Sequence, residues 1–378
     1  MSEFQYVAFR AIDAPVSEEN LRYMRRQSTR AEITAWGFDN EYHFGDFHGD
    51  AEEMLRRGYD FHLHYADFGI RKLMIRFPDG LPDAKAAEPY FEEESVELLK
   101  DKKGPGGILH VSTCYEPGDQ EDLGDLDGLI ERLIPLRGEI LAGDLRPLYL
   151  ANLAVACDSN HDPAEQKEAP VPAGLDSLTR AQRALAEFFD LSDALLSSAA
   201  QVSGATPQIS RPENGCDDWV QSQPEETKNN WLSRVIADPR AARAAILAEF
   251  QKSNAKQSWP TAASSRTISE LRDVADGIQA SRNRKRAQDA ARKRAEKLTR
   301  MAADPTPTLR ETEQLVKERS RSSYSRVAKM LADLREALSG TGNQDLPERH
   351  AQALKRQNPT LNTLTSELRS KGFLKKPS

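Results

Sequence analysis

Short segments in which apolar and polar residues alternate fill the amino-terminal part of the chain and predict β-strands. In one of them, Leu73, Ile75 and Phe77 fall on the same face, because successive side chains of a strand point to opposite faces. Several connections between these segments are too short for a parallel crossover, which favours antiparallel pairing. The strands are predicted at residues 4–11, 31–37, 59–65, 71–77, 95–100 and 108–115.

Apolar residues spaced three and four apart predict helices between and after the strands. Ser17 followed by Glu18 and Glu19 is typical of a helix start, and residues 124–157 carry apolar stripes at helical spacing that are expected to pack on the sheet. The predicted fold class is α+β. It consists of a mostly antiparallel sheet with helices in the amino-terminal domain, followed by an extended, all-helical basic tail.

Shifts in composition divide the chain into five parts. Stretches rich in Pro, Glu, Asp and Ser contain too few apolar residues to offset the entropy of ordering them, which predicts linkers. The predicted parts are an α/β head at 1–157, a linker at 158–174, a helical middle region with an internal loop at 175–251, a second linker at 252–267, and a basic helical tail at 268–378.

The tail is predicted to contain several helices. A long helix at 268–303 is expected to end at Asp304-Pro305, because proline lacks the N–H that would continue it. A second helix is predicted at 309–339, and two short helices are predicted on either side of Asn358-Pro359.

The second tail helix carries a short coiled-coil seam with apolar residues in a three-four spacing. About two heptads are marginal alone, so the seam needs a partner, either the preceding helix in a hairpin or a second protein. Packing within the chain is the favoured alternative. The seam residues are Tyr324, Val327, Leu331, Leu334 and Leu338.

Composition limits the class of protein. Of the 378 residues, 38% are hydrophobic and 29% are charged, and no stretch approaches the roughly 18 apolar residues that a membrane span requires. The amino terminus has no basic region leading into an apolar one, so we expect no signal peptide. Three widely separated cysteines, at 114, 157 and 216, fit neither a disulfide framework nor paired zinc ligands. A cytoplasmic protein without a membrane partner is expected.

Charge is distributed unevenly along the chain. Residues 1–280 hold 29 Lys and Arg against 48 Asp and Glu, a balance of -19, whereas residues 281–378 hold 23 against 11, a balance of +12. Such asymmetry is typical of an interaction tail for polyanions. The alternative is that the basic tail folds back on its own acidic head.

Nine of these cations are concentrated in the nineteen residues 282–300, interspersed with alanines that favour a helix. Such a helix can bind phosphates or an acidic protein partner, or it can simply present a solvated face. The segment has no aromatic residue to stack on bases, which argues against recognition of single strands. The candidate binding residues are Arg282, Arg284, Lys285, Arg286, Arg292, Lys293, Arg294, Lys297 and Arg300.

Histidine and aspartate are concentrated in the head. Asp60, His62 and His64 fall on one face of a predicted strand, and a His-x-His pair on a strand can ligate a divalent metal. His43 or His48 could complete the site if their segments pair with that strand. The alternative is that these residues form the ordinary polar face of a half-buried strand with no metal. The other catalytic patterns in the sequence are weaker.

Two segments resemble known bacterial families. The block FQYVAFRAIDAPVSEENLRYMRRQSTRAEIT, with NEYHFGDFHGD after it, resembles a family of uncharacterised bacterial proteins, and the likeness extends into residues 124–157. The segments YSRVAKMLADLR (324–335) and LNTLTSELRSKGF (361–373) are similar to the carboxyl ends of some bacterial SWIM zinc-finger proteins. The clustered Cys and His ligands of those proteins are missing, so their zinc is not carried over. These resemblances imply a bacterial cytoplasmic setting near nucleic-acid machinery, and no established activity.

The sequence therefore predicts a non-enzymatic interaction or adaptor protein whose basic tail docks on nucleic acid or an acidic protein. The alternative is a metal-dependent enzyme, such as a hydrolase, that uses the His- and Asp-rich strands of the head. No cofactor is expected under the first hypothesis and a divalent metal under the second.

Overall fold

The chain forms two compact units, residues 1–279 (unit 1) and 280–378 (unit 2). A computed structural model describes residues 4–43, 45–114, 123–157, 166–207, 212–237, 242, 246, 249–250 and 258–375.

Unit 1 is built on a seven-stranded antiparallel sheet with strand order β2-β3-β1-β4-β5-β7-β6. This arrangement confirms the predicted α+β class. A separate pair, β8 and β9, forms a second small sheet. The strands are β1 (Gln5–Arg10), β2 (Glu32–Ile33), β3 (Gly37–Tyr42), β4 (Phe61–Ala66), β5 (Ile70–Phe77), β6 (Val96–Lys100), β7 (Gly107–Cys114), β8 (Val171–Pro172) and β9 (Thr261–Ala262).

The helices of unit 1 cover both faces of the large sheet, in two separate hydrophobic cores. Most begin with a side-chain cap, such as Ser17, whose hydroxyl accepts a hydrogen bond from the Asn20 N–H. The helices are α1 (Glu18–Gln27), α2 (Ala51–Arg56), α3 (Ala84–Ala87), α4 (Leu126–Leu133), α5 (Pro135–Leu141), α6 (Arg146–Ala156), α7 (Arg180–Phe188), α8 (Asp193–Ala200), α9 (Pro212–Ser222) and α10 (Glu225–Ala237), with 3-10 turns at Glu88–Tyr90 and Leu175–Ser177.

Alternation along the strands assigns residues to the two cores. In β4, Phe61 and Leu63 lie in the larger core, which includes the apolar faces of α4 to α8. Phe9 and Met74 lie on the opposite face of the sheet, in the smaller core with residues of α1 and α2. The segment predicted as one strand at 31–37 instead contains the two-residue β2 and the start of β3, which turn around Trp36.

Residues 166–174 and 258–267 are integrated into unit 1. Val171 pairs with Ala262 in the small sheet, and the buried Glu168 lies in an ion pair with Arg266. The Trp259 indole N–H donates to the Ala173 carbonyl over 3.0 Å. These contacts join two segments that are far apart in sequence.

This arrangement differs from the predicted division into five parts. Linkers were predicted at 158–174 and 252–267, but the compact units divide after residue 279. Residues 158–165 and 251–257 lie outside the described residues. Residues 166–174 and 258–267 are ordered although their composition is polar, because Glu168 and Trp259 are buried and form hydrogen bonds.

Unit 2 is helical and has its own hydrophobic core. The predicted long helix is present at 268–303, and the two short helices on either side of Asn358-Pro359 are present as well. The predicted helix at 309–339 is two helices, because Arg319 takes a left-handed conformation with φ 52° between them. The helices are α11 (Ile268–Ala303), whose first part belongs to unit 1, α12 (Thr306–Lys317), α13 (Arg321–Ala337), α14 (Leu346–Gln357) and α15 (Asn362–Ser370).

The predicted coiled-coil seam lies on α13, and its residues are buried in unit 2. Tyr324, Val327 and Leu331 belong to a core shared with residues of α12, α14 and α15, and Leu334 and Leu338 pack against Met301 of α11. The alternative of a second protein as the partner of these five residues is therefore corrected. Their partner is the same chain, as the favoured hypothesis has it.

No helix within the described ranges combines the length and the apolar character needed to cross a bilayer.

Candidate functional site

The basic segment 282–300 lies on α11 and is extensively exposed. All but Arg282, Asp289 and Leu298 in this range are exposed, and those three are half-buried. Good helix formers, chiefly Ala and Arg, account for the uninterrupted helix. The nine predicted cations are thus presented on one ordered element.

Within the described part of the chain, Arg292, Arg294 and Lys297 are paired with carboxylates. Arg292 lies 3.0 Å from Asp289 and 3.9 Å from Glu296, so a single arginine contacts both carboxylates of the segment. Arg294 and Lys297 are paired with carboxylates of α13.

The acidic partners on α13 are Asp333 and Glu336. The Arg294 guanidinium lies 2.5 Å from Glu336, and the Lys297 ammonium lies 2.7 Å from Asp333. Asp333 is nearly buried, with 8% of its side chain exposed. These two ion pairs join the carboxyl-terminal part of α11 to α13, where Met301 also packs against Leu334.

Five cations of the segment have no carboxylate within 4.0 Å among the residues that the structure describes. They are Arg284, Lys285, Arg286, Lys293 and Arg300. Arg286, Lys293 and Arg300 recur every seven residues, so they lie within about 40° of one another around the helix axis and about 10 Å apart along it. We call these three the cationic stripe. It extends over about 21 Å of helix.

The cationic stripe has the chemistry of a polyanion site. Arginine binds a phosphate or carboxylate through two parallel N–H groups, and lysine binds it as a point charge. Because the stripe is fixed on a helix and no described carboxylate pairs with it, counterions neutralise it until a polyanion displaces them.

The predicted metal ligands of the head differ in burial and in hydrogen-bond partners. His62 is buried, its Nδ1 lies 3.0 Å from the Ala8 carbonyl oxygen, and its ring stacks on Phe9 at 4.1 Å. His64 is half-buried, and its Nε2 lies 3.0 Å from the Gln5 side-chain oxygen. The two imidazoles share a sheet face, as predicted, with ring centroids 6.3 Å apart.

Asp60 is buried and engaged with backbone rather than with the histidines. Its carboxylate accepts hydrogen bonds from the N–H groups of Ile12 and Asp13 at 2.6 and 3.1 Å and lies 3.9 Å from Arg137. Burial raises the pKa of Asp60, while Arg137 acts in the opposite direction. Asp60 immediately precedes β4, and its carboxylate holds the segment that connects β1 to α1.

Among the described residues, His43 and His48 do not form a group of metal ligands with His62 and His64. His43 follows β3, and its ring lies 5.5 Å from the ring of Phe4, which packs against the larger core on the other face of the sheet. His48 is exposed in the connection between β3 and α2. Among described residues no group of three His, Cys, Asp or Glu side chains could hold a metal ion.

The neighbours of His64 include polar residues that sequence reasoning missed. The Gln5 amide also donates to Asp46, and Lys72 is the cross-strand partner of His64. Burial, with Lys72 second, lowers the pKa of His64 to about 4. Counting alternation across the β4–β5 hairpin would have identified Lys72, since the connection between the strands is short.

His110 lies on the same face, on β7. Burial and Lys72 lower the pKa of His110 to about 4, and its Nδ1 lies 3.6 Å from Glu97. No sequence signal places β7 beside β5, because β6 intervenes in the chain.

Comparisons with protein-family models, with curated proteins and with solved structures found no match. The resemblances of the head and tail segments therefore stay expectations.

Proposed function

We propose that this protein is a non-enzymatic interaction or adaptor protein that binds the phosphate backbone of nucleic acid through α11. The observation that supports the proposal is the cationic stripe, Arg286, Lys293 and Arg300, exposed on an ordered helix without carboxylate partners in the described chain. Each phosphate that such a cation neutralises releases a condensed counterion, which favours binding.

The surroundings of the stripe favour nucleic acid over an acidic protein. Protein interfaces generally contain a buried apolar or aromatic centre. Between 282 and 300 the exposed apolar residues are alanines, and Leu298 is half-buried. A surface that offers charge without an apolar centre suits phosphates, whose contacts are ionic and independent of sequence.

Charge removal on the stripe tests the proposal. We expect full-length protein with Arg286→Gln, Lys293→Gln and Arg300→Gln to bind a fluorescein-labelled duplex DNA about tenfold more weakly or worse, because three phosphate contacts are lost. Anisotropy titration at low salt measures the affinity, and circular dichroism verifies that the helices persist.

A matched control removes three exposed cations of unit 1, through Arg22→Gln, Arg25→Gln and Lys102→Gln. Its net charge equals that of the stripe variant, so we expect near wild-type affinity if the binding site is α11. Equal loss in both variants would indicate a general charge effect and contradict the proposal. Failure of the wild-type protein to bind DNA, with binding of an acidic polypeptide such as polyglutamate, would favour the acidic-protein alternative.

A further inference from the structure

A groove runs beside the edge of the large sheet in unit 1, remote in sequence from the basic segment. Its volume is about 530 Å³. One wall is β6, the edge strand, and the other is formed by α3, the 3-10 turn Glu88–Tyr90 and Phe91. The half-buried side chains of Phe91 and Leu98 contribute apolar surface to the groove.

The backbone of β6 has an outer edge that faces away from β7. The N–H and carbonyl groups of Val96 exchange hydrogen bonds with Glu92, at 2.8 Å each, and not with β7. At the other end, the Asp101 N–H donates inward to Gly106. Since the direction of backbone groups alternates along a strand, those of Leu98 and Lys100 point outward.

No other described strand pairs with this outer edge. β7 is the one neighbour of β6 in the sheet, and no backbone hydrogen bond from another described residue reaches Leu98 or Lys100. An edge with unpaired N–H and C=O groups is a template for adding a further strand.

The side chains around the groove are mainly acidic. Glu88, Glu93 and Glu97 line it together with Glu92, against two lysines, Lys85 and Lys100. A balance of four carboxylates to two ammonium groups favours a cationic occupant.

We propose that this groove binds an extended peptide of a partner protein in which basic and apolar side chains alternate, added as a strand to β6. The peptide backbone bonds to Leu98 and Lys100, which gives affinity without sequence dependence. Side chains of alternate residues point to opposite faces, so apolar ones reach Phe91 and Leu98 while Lys or Arg reaches the carboxylates. An adaptor with α11 and this groove has two independent binding surfaces.

The test uses a phage-displayed library of random nine-residue peptides, selected on the full-length chain. We expect enrichment of peptides with alternating Lys or Arg and Val, Ile or Leu. Leu98→Pro removes the outward N–H while leaving the β6–β7 hydrogen bonds in place, since an edge strand tolerates proline where its N–H faces outward. Leu98→Ala is the control, because it shortens the side chain and keeps the N–H.

We expect the most enriched peptide, synthesised with a fluorophore, to bind Leu98→Pro at least about tenfold more weakly than Leu98→Ala. A second test changes the peptide and leaves the wild-type protein unaltered. The same peptide is N-methylated at every second residue, in the register that removes the donors facing β6. Loss of binding supports strand addition, and unchanged binding of the N-methylated peptides in both registers overturns it.

The charge of the occupant is tested separately. Glu93→Gln with Glu97→Gln is expected to weaken binding several-fold and to reduce its salt dependence. Selection of neutral or acidic peptides would overturn the proposed chemistry.

Dimerisation in sedimentation velocity that Leu98→Pro abolishes would assign the edge to a second copy of the chain and overturn the external peptide. The stripe variant on α11 is expected to retain peptide binding, so failure of either proposal is distinguishable from failure of the other.

Discussion

Glu168 is the residue on which the integrity of the small sheet in unit 1 most clearly depends. Its carboxylate, with 1% of the side chain exposed, accepts hydrogen bonds from the Tyr149 and Ser264 hydroxyls at 2.6 Å and from Arg266 at 3.0 Å. We expect Glu168→Gln to lower the free energy of unfolding of unit 1 by about 3–5 kcal/mol, because Arg266 loses its counter-charge. Urea denaturation monitored by tryptophan fluorescence measures this.

The control is Glu131→Gln. Glu131 pairs with Arg10 at 2.8 Å, but 60% of its side chain is exposed. Exposed pairs contribute about 0–1 kcal/mol, so the control should unfold nearly as wild type does. Equal destabilisation by the two variants would contradict the importance assigned to the buried pair.

The lowered pKa of His64 predicts loss of stability in acid. In the unfolded chain a histidine takes up a proton near pH 6.5, whereas burial and Lys72 keep His64 neutral to about pH 4 in the folded chain. The unfolded state therefore binds more protons between these values, and stability that is complete above pH 6.5 is lost as pH falls toward 4. The opposing influence of Asp46 is smaller.

We expect His64→Gln to flatten this dependence by up to about 3 kcal/mol between pH 7 and 4, measured by urea denaturation across that range. His43→Gln, at an exposed position, serves as the control and should leave the profile unchanged. A wild-type profile that His64→Gln does not flatten would contradict the pKa assigned to His64.

Alternation along one strand was sufficient to predict that His62 and His64 share a face. It was not sufficient to predict their neighbours, which come from β1, β5 and β7 and depend on register across several loops. His43 shows why such neighbours are hard to predict. It directly follows Tyr42, the last residue of β3, and successive side chains point to opposite faces of the sheet. The metal site itself stays a prediction of the sequence.

At the scale of elements, periodicity was most informative for long helices and least so for short strands. The bounds of α11 follow from its composition and from Asp304-Pro305, and the seam on α13 follows from its spacing. β3 was missed because GFDNEY has no apolar alternation over its full length. The break between α12 and α13 was also missed, since neither Pro nor Gly marks it.

The break between α12 and α13 predicts that glycine has different effects on the stability of unit 2 at two positions. Arg319 has φ 52°, a conformation that costs non-glycine residues about 1 kcal/mol and glycine almost nothing. We expect Arg319→Gly to leave unit 2 as stable as wild type or up to about 1 kcal/mol more stable. Lys329→Gly, exposed within α13, should destabilise it by about 1 kcal/mol.

Thermal unfolding followed by helical circular dichroism compares the two glycine variants. Destabilisation by Arg319→Gly similar to that of Lys329→Gly would indicate that residue 319 is helical and that α12 and α13 are one helix.

For the whole molecule, the chain divides into two compact units after residue 279, and this boundary falls inside α11. The charge asymmetry predicted an interaction tail, and that stays a prediction. Composition alone could not show that residues 166–174 belong to unit 1, because a few buried polar side chains there replace an apolar run. The tail is not a solvated extension but a unit with its own core.

We therefore expect a fragment of residues 280–378 to fold without unit 1. Its core contains Leu331 and Leu368, both fully buried. Leu331→Ala should destabilise the fragment by about 2–5 kcal/mol through loss of packing and the cavity it leaves. A helical signal that melts cooperatively, at a lower temperature in the variant, is the expected result. Non-cooperative melting of the wild-type fragment would contradict the independence of unit 2.

The salt dependence of DNA binding tests the central claim most directly. For full-length protein on a labelled duplex, log K should fall linearly with log salt concentration, at about 0.9 per phosphate contacted. Substituting glutamine for Arg286, Lys293 and Arg300 should then reduce the slope by about 2.7, if each contacts one phosphate. An unchanged slope in this variant, or wild-type binding that is insensitive to salt, would contradict the assignment of α11 as a polyanion-binding helix.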